Sequence, residues 1–220
     1  MKVHWDTVKR LLKKNGCSYR RARRVPPKAP SPCCLAARKR ALAKLHVLEQ
    51  AGRVDVLYGD ECGFSLLPCV PYLWQKCGET LGLPTHPHQK RLSVLGFWRR
   101  DNRLWSFPCT QRMTAQHLIQ SVEAMLPQLD KDKQTVLVLD NAPIHRAKCV
   151  REKQAEWKRR GLRLFFLPPY SPHLNRIELL WKQVKYRWLE PSAYIAFDAL
   201  CFHVANILDH VGTKYRLTFA

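Results

Sequence analysis

The stretch Thr135-Val136-Leu137-Val138-Leu139-Asp140-Asn141-Ala142-Pro143-Ile144-His145 decides the fold. Its first five residues are apolar or β-branched and run without a break into an aspartate. A strand with one wet face alternates, whereas a continuous run is buried on both faces, as in a sheet covered by helices. Asp140 closes that strand, at the carboxyl end where ligands gather in open α/β sheets. Working outward, a helix is expected over about 146–160, stopped by Gly161, and Leu162 to Leu167 repeats the buried-strand pattern. Upstream, Val54 to Tyr58 is a third apolar run, ending at Asp60. Leu92–Trp98 and Leu104–Phe107 flank Arg99-Arg100-Asp101-Asn102-Arg103, which reads as a hairpin. Helical spacing covers 114–127, 176–189 and about 196–210. Strands alternating with helices in this order indicate a layered α/β domain, placed at residues 53–220.

Charge dominates the composition. The 220 residues carry 38 Lys and Arg against 17 Asp and Glu, a net charge of +21. An excess of that size favours a polyanionic partner, nucleic acid first. Residues 1–50 hold 14 of the basic residues and only Asp6 and Glu49 as acids. Thr7 is a candidate cap for a helix ending at Asn15-Gly16. The cluster Arg20, Arg21, Arg23 and Arg24 follows, then the stiff spacer Pro26-Pro27-Lys28-Ala29-Pro30-Ser31-Pro32. Residues 35–50 are again helical. Residues 1–52 thus form a short basic helical N-terminal segment, expected to be the tail of a helix-turn-helix DNA-binding region. A second basic stretch, rich in Pro and Gly, runs from Tyr72 through Lys76 to Lys90 and Arg91, and is expected to be a loop that grips DNA.

Several classes are excluded. The 46% apolar content builds a core and argues against disorder throughout. No apolar run approaches the roughly 18 residues of a membrane span, so no membrane is expected as partner. The nine cysteines are odd in number and contain no CxxC pair, which speaks against structural zinc and for reduced thiols in the cytoplasm.

Three carboxylates have the placement of a metal site. Asp60 and Asp140 each end a strand, and neighbouring strands would set them side by side, where like charges demand a counter-charge. Mg²⁺ or Mn²⁺ supplies one, being hard ions that prefer carboxylate oxygen. Glu178, in the first turn of the helix after Pro168-Pro169-Tyr170-Ser171-Pro172, is the third. Three carboxylates can hold two ions about 4 Å apart, the arrangement that serves phosphodiester chemistry. Plainer roles stay open on pattern alone. Asp140-Asn141-Ala142-Pro143 has turn composition. Asn175-Arg176-Ile177-Glu178 resembles a capping box. Asp60 stands beside Glu61, which competes for the same role.

The segments Val138-Leu139-Asp140-Asn141-Ala142-Pro143-Ile144-His145 and Leu167-Pro168-Pro169-Tyr170-Ser171-Pro172-His173-Leu174-Asn175-Arg176-Ile177-Glu178-Leu179-Leu180-Trp181 resemble the signatures of DDE transposases. More narrowly, they are similar to the bacterial insertion-sequence branch of the mariner superfamily. Tyr58-Gly59-Asp60-Glu61-Cys62-Gly63-Phe64 is similar to its first acidic motif, and Arg176 stands where the family usually has proline. The resemblance implies an RNase H-like fold, with Asp60, Asp140 and Glu178 as catalytic, metal-binding triad, and it selects Asp60 over Glu61. It further implies Mg²⁺ or Mn²⁺ as cofactor, two ions per site. The partners would be DNA, as terminal inverted repeats and as target at TA, with a homodimer formed on paired ends. The expected activity is cleavage at element ends and strand transfer, by a cytoplasmic, nucleoid-associated protein. Two other classes stay open: a catalytically inactive or truncated DNA-binding derivative, and another RNase H-like nuclease.

Overall fold

The computed structural model describes residues 4–18, 31–67, 77–78, 82 and 90–217. Its centre is a five-stranded sheet of β1 (Val54–Ser65), β2 (Arg91–Arg99), β3 (Leu104–Cys109), β4 (Gln134–Leu139) and β5 (Leu162–Phe166). The spatial order is β3-β2-β1-β4-β5. β1, β2 and β3 pair antiparallel, whereas β1, β4 and β5 run parallel. The hairpin turns through Asn102 in the left-handed region, φ 71°, a conformation asparagine tolerates better than most residues. Pro108, which cannot donate to a ladder, sits in β3 at the sheet's edge.

Both faces of the sheet are covered, as the unbroken apolar runs require. Strand parity divides the core in two. Val56, Tyr58, Cys62 and Phe64 of β1, with Leu92, Val94 and Trp98 of β2, face one side. There they meet α5 (Ile177–Gln183) and α6 (Phe197–Asp209). Leu57, Leu95, Phe97, Leu137 and Leu139 face the other side, against α3 (Ala115–Met125) and α4 (Lys148–Arg159). Trp98, Trp105, Trp157 and Trp181 are all core residues. Trp157 Nε1 also donates to Glu123 at 2.8 Å, tying α4 to α3.

The N-terminal helices differ from each other. α1 (Trp5–Lys14) is capped by His4, not Thr7, and buries none of its residues. α2 (Pro32–Gln50) starts three residues earlier than its apolar spacing suggests, with Ser31 as cap and proline in the first turn, where its missing N–H costs nothing. It lies on the sheet: Leu42 is in the core, His46 hydrogen-bonds the Tyr58 hydroxyl, and Arg38 stands over the Phe165 ring at 5.4 Å. Among the described residues, no helix is long and apolar enough to cross a membrane.

Candidate active site

The register of β1 against β4 builds the site. Tyr58 lies beside Val138, and the parallel pairing ends at Gly59 and Leu139. The next residues of matching parity are Asp60 and Asp140. β1 itself does not end at Asp60, as its apolar run suggested; it continues to Ser65 because β2 extends the ladder on its other edge. Parity also separates Asp60 from Glu61: Asp60 has the strand parity of Tyr58 and Cys62, over which α5 lies, and Glu61 the opposite parity, although both border one groove beside α5.

α5 reaches that face through Ile177, Leu180 and Trp181, all buried. Its close approach depends on Gly96, which pairs with Asp60 across β1 and β2. A Cβ at Gly96 would stand 2.7 Å from the Trp181 ring. With its apolar side down, α5 leaves Glu178 in its exposed first turn. No capping box forms, since α5 has no side-chain cap. Asn175 does something else: its side-chain amide donates to the Gly59 carbonyl at 3.0 Å, fastening the entry of α5 to the strand that carries Asp60.

Asp60, Asp140 and Glu178 line one cavity of about 510 Å³, together with Asn175 and the loop Pro168–Pro172. Burial, the Glu178 charge and, more weakly, Asp140 push the Asp60 carboxyl up to about 7, against a backbone N–H bond that lowers it. Asp140 moves the other way. Burial raises it, but His145, the Ala142 N–H and the imidazole charge outweigh that and hold it below the ordinary value. His145 Nδ1 donates to Asp140 at 2.6 Å, and Ala142 N donates to the same oxygen at 3.0 Å. His145 is 1% exposed, so it is a buried support of Asp140. Its Nε2 stands 3.9 Å from Glu61. Tyr170, on the cavity wall, holds φ at 55°, a strained conformation for an aromatic residue of the kind concentrated at functional sites.

The donor set fits a hard divalent cation. All three charged groups offer oxygen, and one is buried and repelled by the others until it resists ionisation, a burden a cation relieves. The Asn175 side-chain oxygen, buried beside them, has no hydrogen-bond partner. The carboxylates line a shared wall without closing into a cage: among the described residues, no three His, Cys, Asp or Glu already surround a single point.

A family model described as DDE superfamily endonuclease matches residues 55–201, more than half of the chain and inclusive of all three carboxylates. The chain belongs to the DDE endonuclease superfamily. Three solved structures show the fold of this DDE endonuclease. The Mos1 strand transfer complex has a TM-score of 0.58 at 16% identity, over 96% of this chain and 63% of that one. The Mos1 transposase paired-end complex with left transposon end gives 0.55 at 15%, over 93% and 62%. The mariner Mos1 paired-end complex with Mg gives 0.54 at 15%, over 92% and 62%. The chain therefore spans less than two thirds of the length of these structures. The likeness establishes the RNase H-like catalytic fold expected from the motifs. No curated protein matches the sequence.

The expected DNA-contacting residues divide. Arg20, Arg21, Arg23, Arg24 and Lys76 lie outside the described residues. Lys90 and Arg91 sit at the start of β2, in a groove of about 550 Å³ that includes Glu61 and also Arg112, a basic residue that no motif singled out. Asn175 was likewise missed as a structural tie; its motif resembles a capping box and signals only a local helix start.

Proposed function

We propose that this DDE endonuclease is a transposase of the mariner type, in the bacterial insertion-sequence branch, that cuts DNA at element ends and joins them to a target. The observation that carries it is the convergence of Asp60, Asp140 and Glu178 on one cavity in a family-matched RNase H-like domain. Mg²⁺ or Mn²⁺, two ions held by these three carboxylates, would supply an activated oxygen nucleophile and charge neutralisation at the leaving oxygen. The protein's own part is placement. Asn175 and Gly96 seat the helix that carries Glu178 on the strands beside Asp60, and His145 hydrogen-bonds Asp140. The cation excess binds phosphates, largely without reading sequence.

The remaining elements belong to the same proposal. Arg20, Arg21, Arg23, Arg24, Lys76, Lys90 and Arg91 would contact the DNA backbone. Residues 1–52 would serve as the DNA-facing segment and 53–220 as the catalytic unit. A homodimer would act on paired inverted repeats, in the cytoplasm with the nucleoid. The test is cleavage of element-end duplex in Mg²⁺ or Mn²⁺. Asp60→Asn, Asp140→Asn and Glu178→Gln should each abolish it, and full cleavage by all three would defeat the assignment.

A further inference from the structure

Helix α2 places His46 on the hydroxyl of Tyr58, and Tyr58 stands two residues before Asp60 with the same strand parity. We propose that α2 is a working part of the active site: by holding Tyr58 through His46, a positioning residue, it fixes the stretch of β1 that presents Asp60 and so strengthens metal binding by the three carboxylates. The inference rests on the metal reading above. It concerns a helix that the family match, residues 55–201, leaves out.

The Tyr58 side chain is 1% exposed, so its hydroxyl must find a partner inside the protein. Burial pushes the phenol up to about 12, with Arg176 pulling against it. Burial, Arg176 and Arg100 hold His46 below its ordinary value. Both groups are therefore neutral near pH 7, and the phenol O–H donates to the imidazole Nε2. Gly59, the next residue, has no room for a grip of its own: a Cβ there would stand 2.6 Å from Leu139. Its carbonyl is held instead by Asn175 at 3.0 Å. Side chains of two other elements thus take hold of β1 in the two residues before Asp60, one from the entry of α5 and one from α2.

Charge links the same pieces. Arg176 follows Asn175, lies two residues before Glu178, and is half-buried within electrostatic reach of His46, Glu49 and Tyr58. Arg100, in the β2–β3 hairpin, acts on the same three groups. Glu49, one turn beyond His46, is the counter-charge that α2 brings to both guanidiniums. Burial pushes its carboxyl up while Arg100 and Arg176 pull it down, and its buried Oε2 has no hydrogen-bond partner. α2 is also seated independently of His46, by Leu42 in the core and by Arg38 over the Phe165 ring. Loss of the His46 bond therefore leaves the helix in place and isolates its effect on β1. Residues that orient ligands set metal affinity although they never touch the ion.

Calorimetric titration of the full, metal-free chain with Mn²⁺ tests the proposal, with thermal melts in EDTA alongside. His46→Ala and Tyr58→Phe should each weaken Mn²⁺ binding about 10-fold, the lower end of what outer-shell partners contribute. Because both remove one shared bond, the double variant should bind no more weakly than either single one. His46→Gln, whose amide oxygen can accept from the same hydroxyl, should restore most of the affinity. Lower melting temperatures with wild-type Mn²⁺ affinity make α2 merely structural and overturn the proposal, as do losses that multiply in the double variant. Should these variants not fold, Arg176→Gln decides. Deleting a cation two residues from Glu178 raises Mn²⁺ affinity if only its charge matters, which overturns the proposal, and lowers it if Arg176 ties α5 to α2. If the wild-type chain takes up no Mn²⁺, or Asp60→Asn binds it equally, the metal reading itself falls, and the proposal with it.

Discussion

Replacing Asp60 by asparagine should stabilise the metal-free protein at alkaline pH. Asp60 titrates at about 7 in the folded chain against 3.8 in the unfolded one. Between those values the folded state holds a proton that the unfolded state has lost, so stability falls as pH rises through the window. Below pH 3.8 the group is protonated in both states and nothing is lost; above 7 the loss is complete. Roughly three pH units at about 1.4 kcal/mol each give a penalty on the order of 4 kcal/mol. Near the melting temperature of a chain this size, that is about 8–16 °C. Asp60→Asn keeps the shape and removes the charge, so its melting temperature in EDTA should exceed wild type at pH 8 and match it at pH 4. Groups that do not interact with Asp60 titrate alike in both proteins and cancel in the difference; Glu178 and Asp140, whose charges oppose that of Asp60, are relieved in the variant, in the same direction. Mg²⁺ at a hundred times its dissociation constant should return about 2.7 kcal/mol to wild type, and little to the variant. Thermal melts at pH 4, 6 and 8, with EDTA and with Mg²⁺, decide the matter. Parallel curves for the two proteins across that range would refute the reasoning, because Asp60 would then not be the strained carboxylate.

Other consequences are simpler to measure. Gly96→Ala drives a Cβ to 2.7 Å from the Trp181 ring, a rigid neighbour. Overpacking of this kind costs about 1–3 kcal/mol, and because Glu178 rides on the same helix, cleavage should fall along with the melting temperature. His145→Ala removes a part-buried hydrogen bond to Asp140, whose carboxylate water can still reach, and should cost about 1 kcal/mol at pH 7 beyond the lost packing of the buried ring. Since Asp140 is held below its ordinary value, its contribution is present above 3.8 and lost as pH falls through the folded value, so the deficit should shrink in acid melts. Asn175→Ala leaves the buried Gly59 carbonyl without its partner. A similar loss is expected from that orphaned group, with weaker Mg²⁺-induced thermal stabilisation as the functional readout.

The strands were legible where burial on both faces wrote an unbroken apolar run, as in Val136–Leu139. β1 was legible only in its first half. Past Tyr58 the polar pair Asp60-Glu61 interrupts the run, and what keeps the strand going is its partner β2, far along the chain. Thr7 was an eligible cap, but the helix starts earlier, at Trp5 behind His4. No local pattern marks the wide turn at Val184–Trp188, since an i to i+5 bond uses the same residues as an i to i+4 bond. The contact of α2 with the sheet was equally silent: Leu42 and His46 look like any residues of a basic helix until Tyr58 and the sheet are set beneath them. The carboxylates were visible as types and spacings. Their supports were not, because Asn175 to Gly59 and Gly96 to Trp181 are contacts across long stretches of chain.

Those supports divide the triad mechanically. Glu178 is tied to β1 by Asn175 and to β2 by the seat of Trp181 on Gly96, and Asp60 stands on β1 directly opposite Gly96. Asp60 and Glu178 are therefore linked through β1, β2 and α5. Asp140 has its own supports: it follows the last β4 residue paired to β1 and is oriented by Ala142 and His145 from the loop beyond. The two sets of supports meet where the parallel ladder stops, at Gly59 and Leu139. In the first, burial and the Glu178 charge oppose ionisation of Asp60. In the second, Asp140 is kept charged by its own partners. The arrangement thus contains one carboxylate held in its charged form and one whose ionisation a nearby cation would favour.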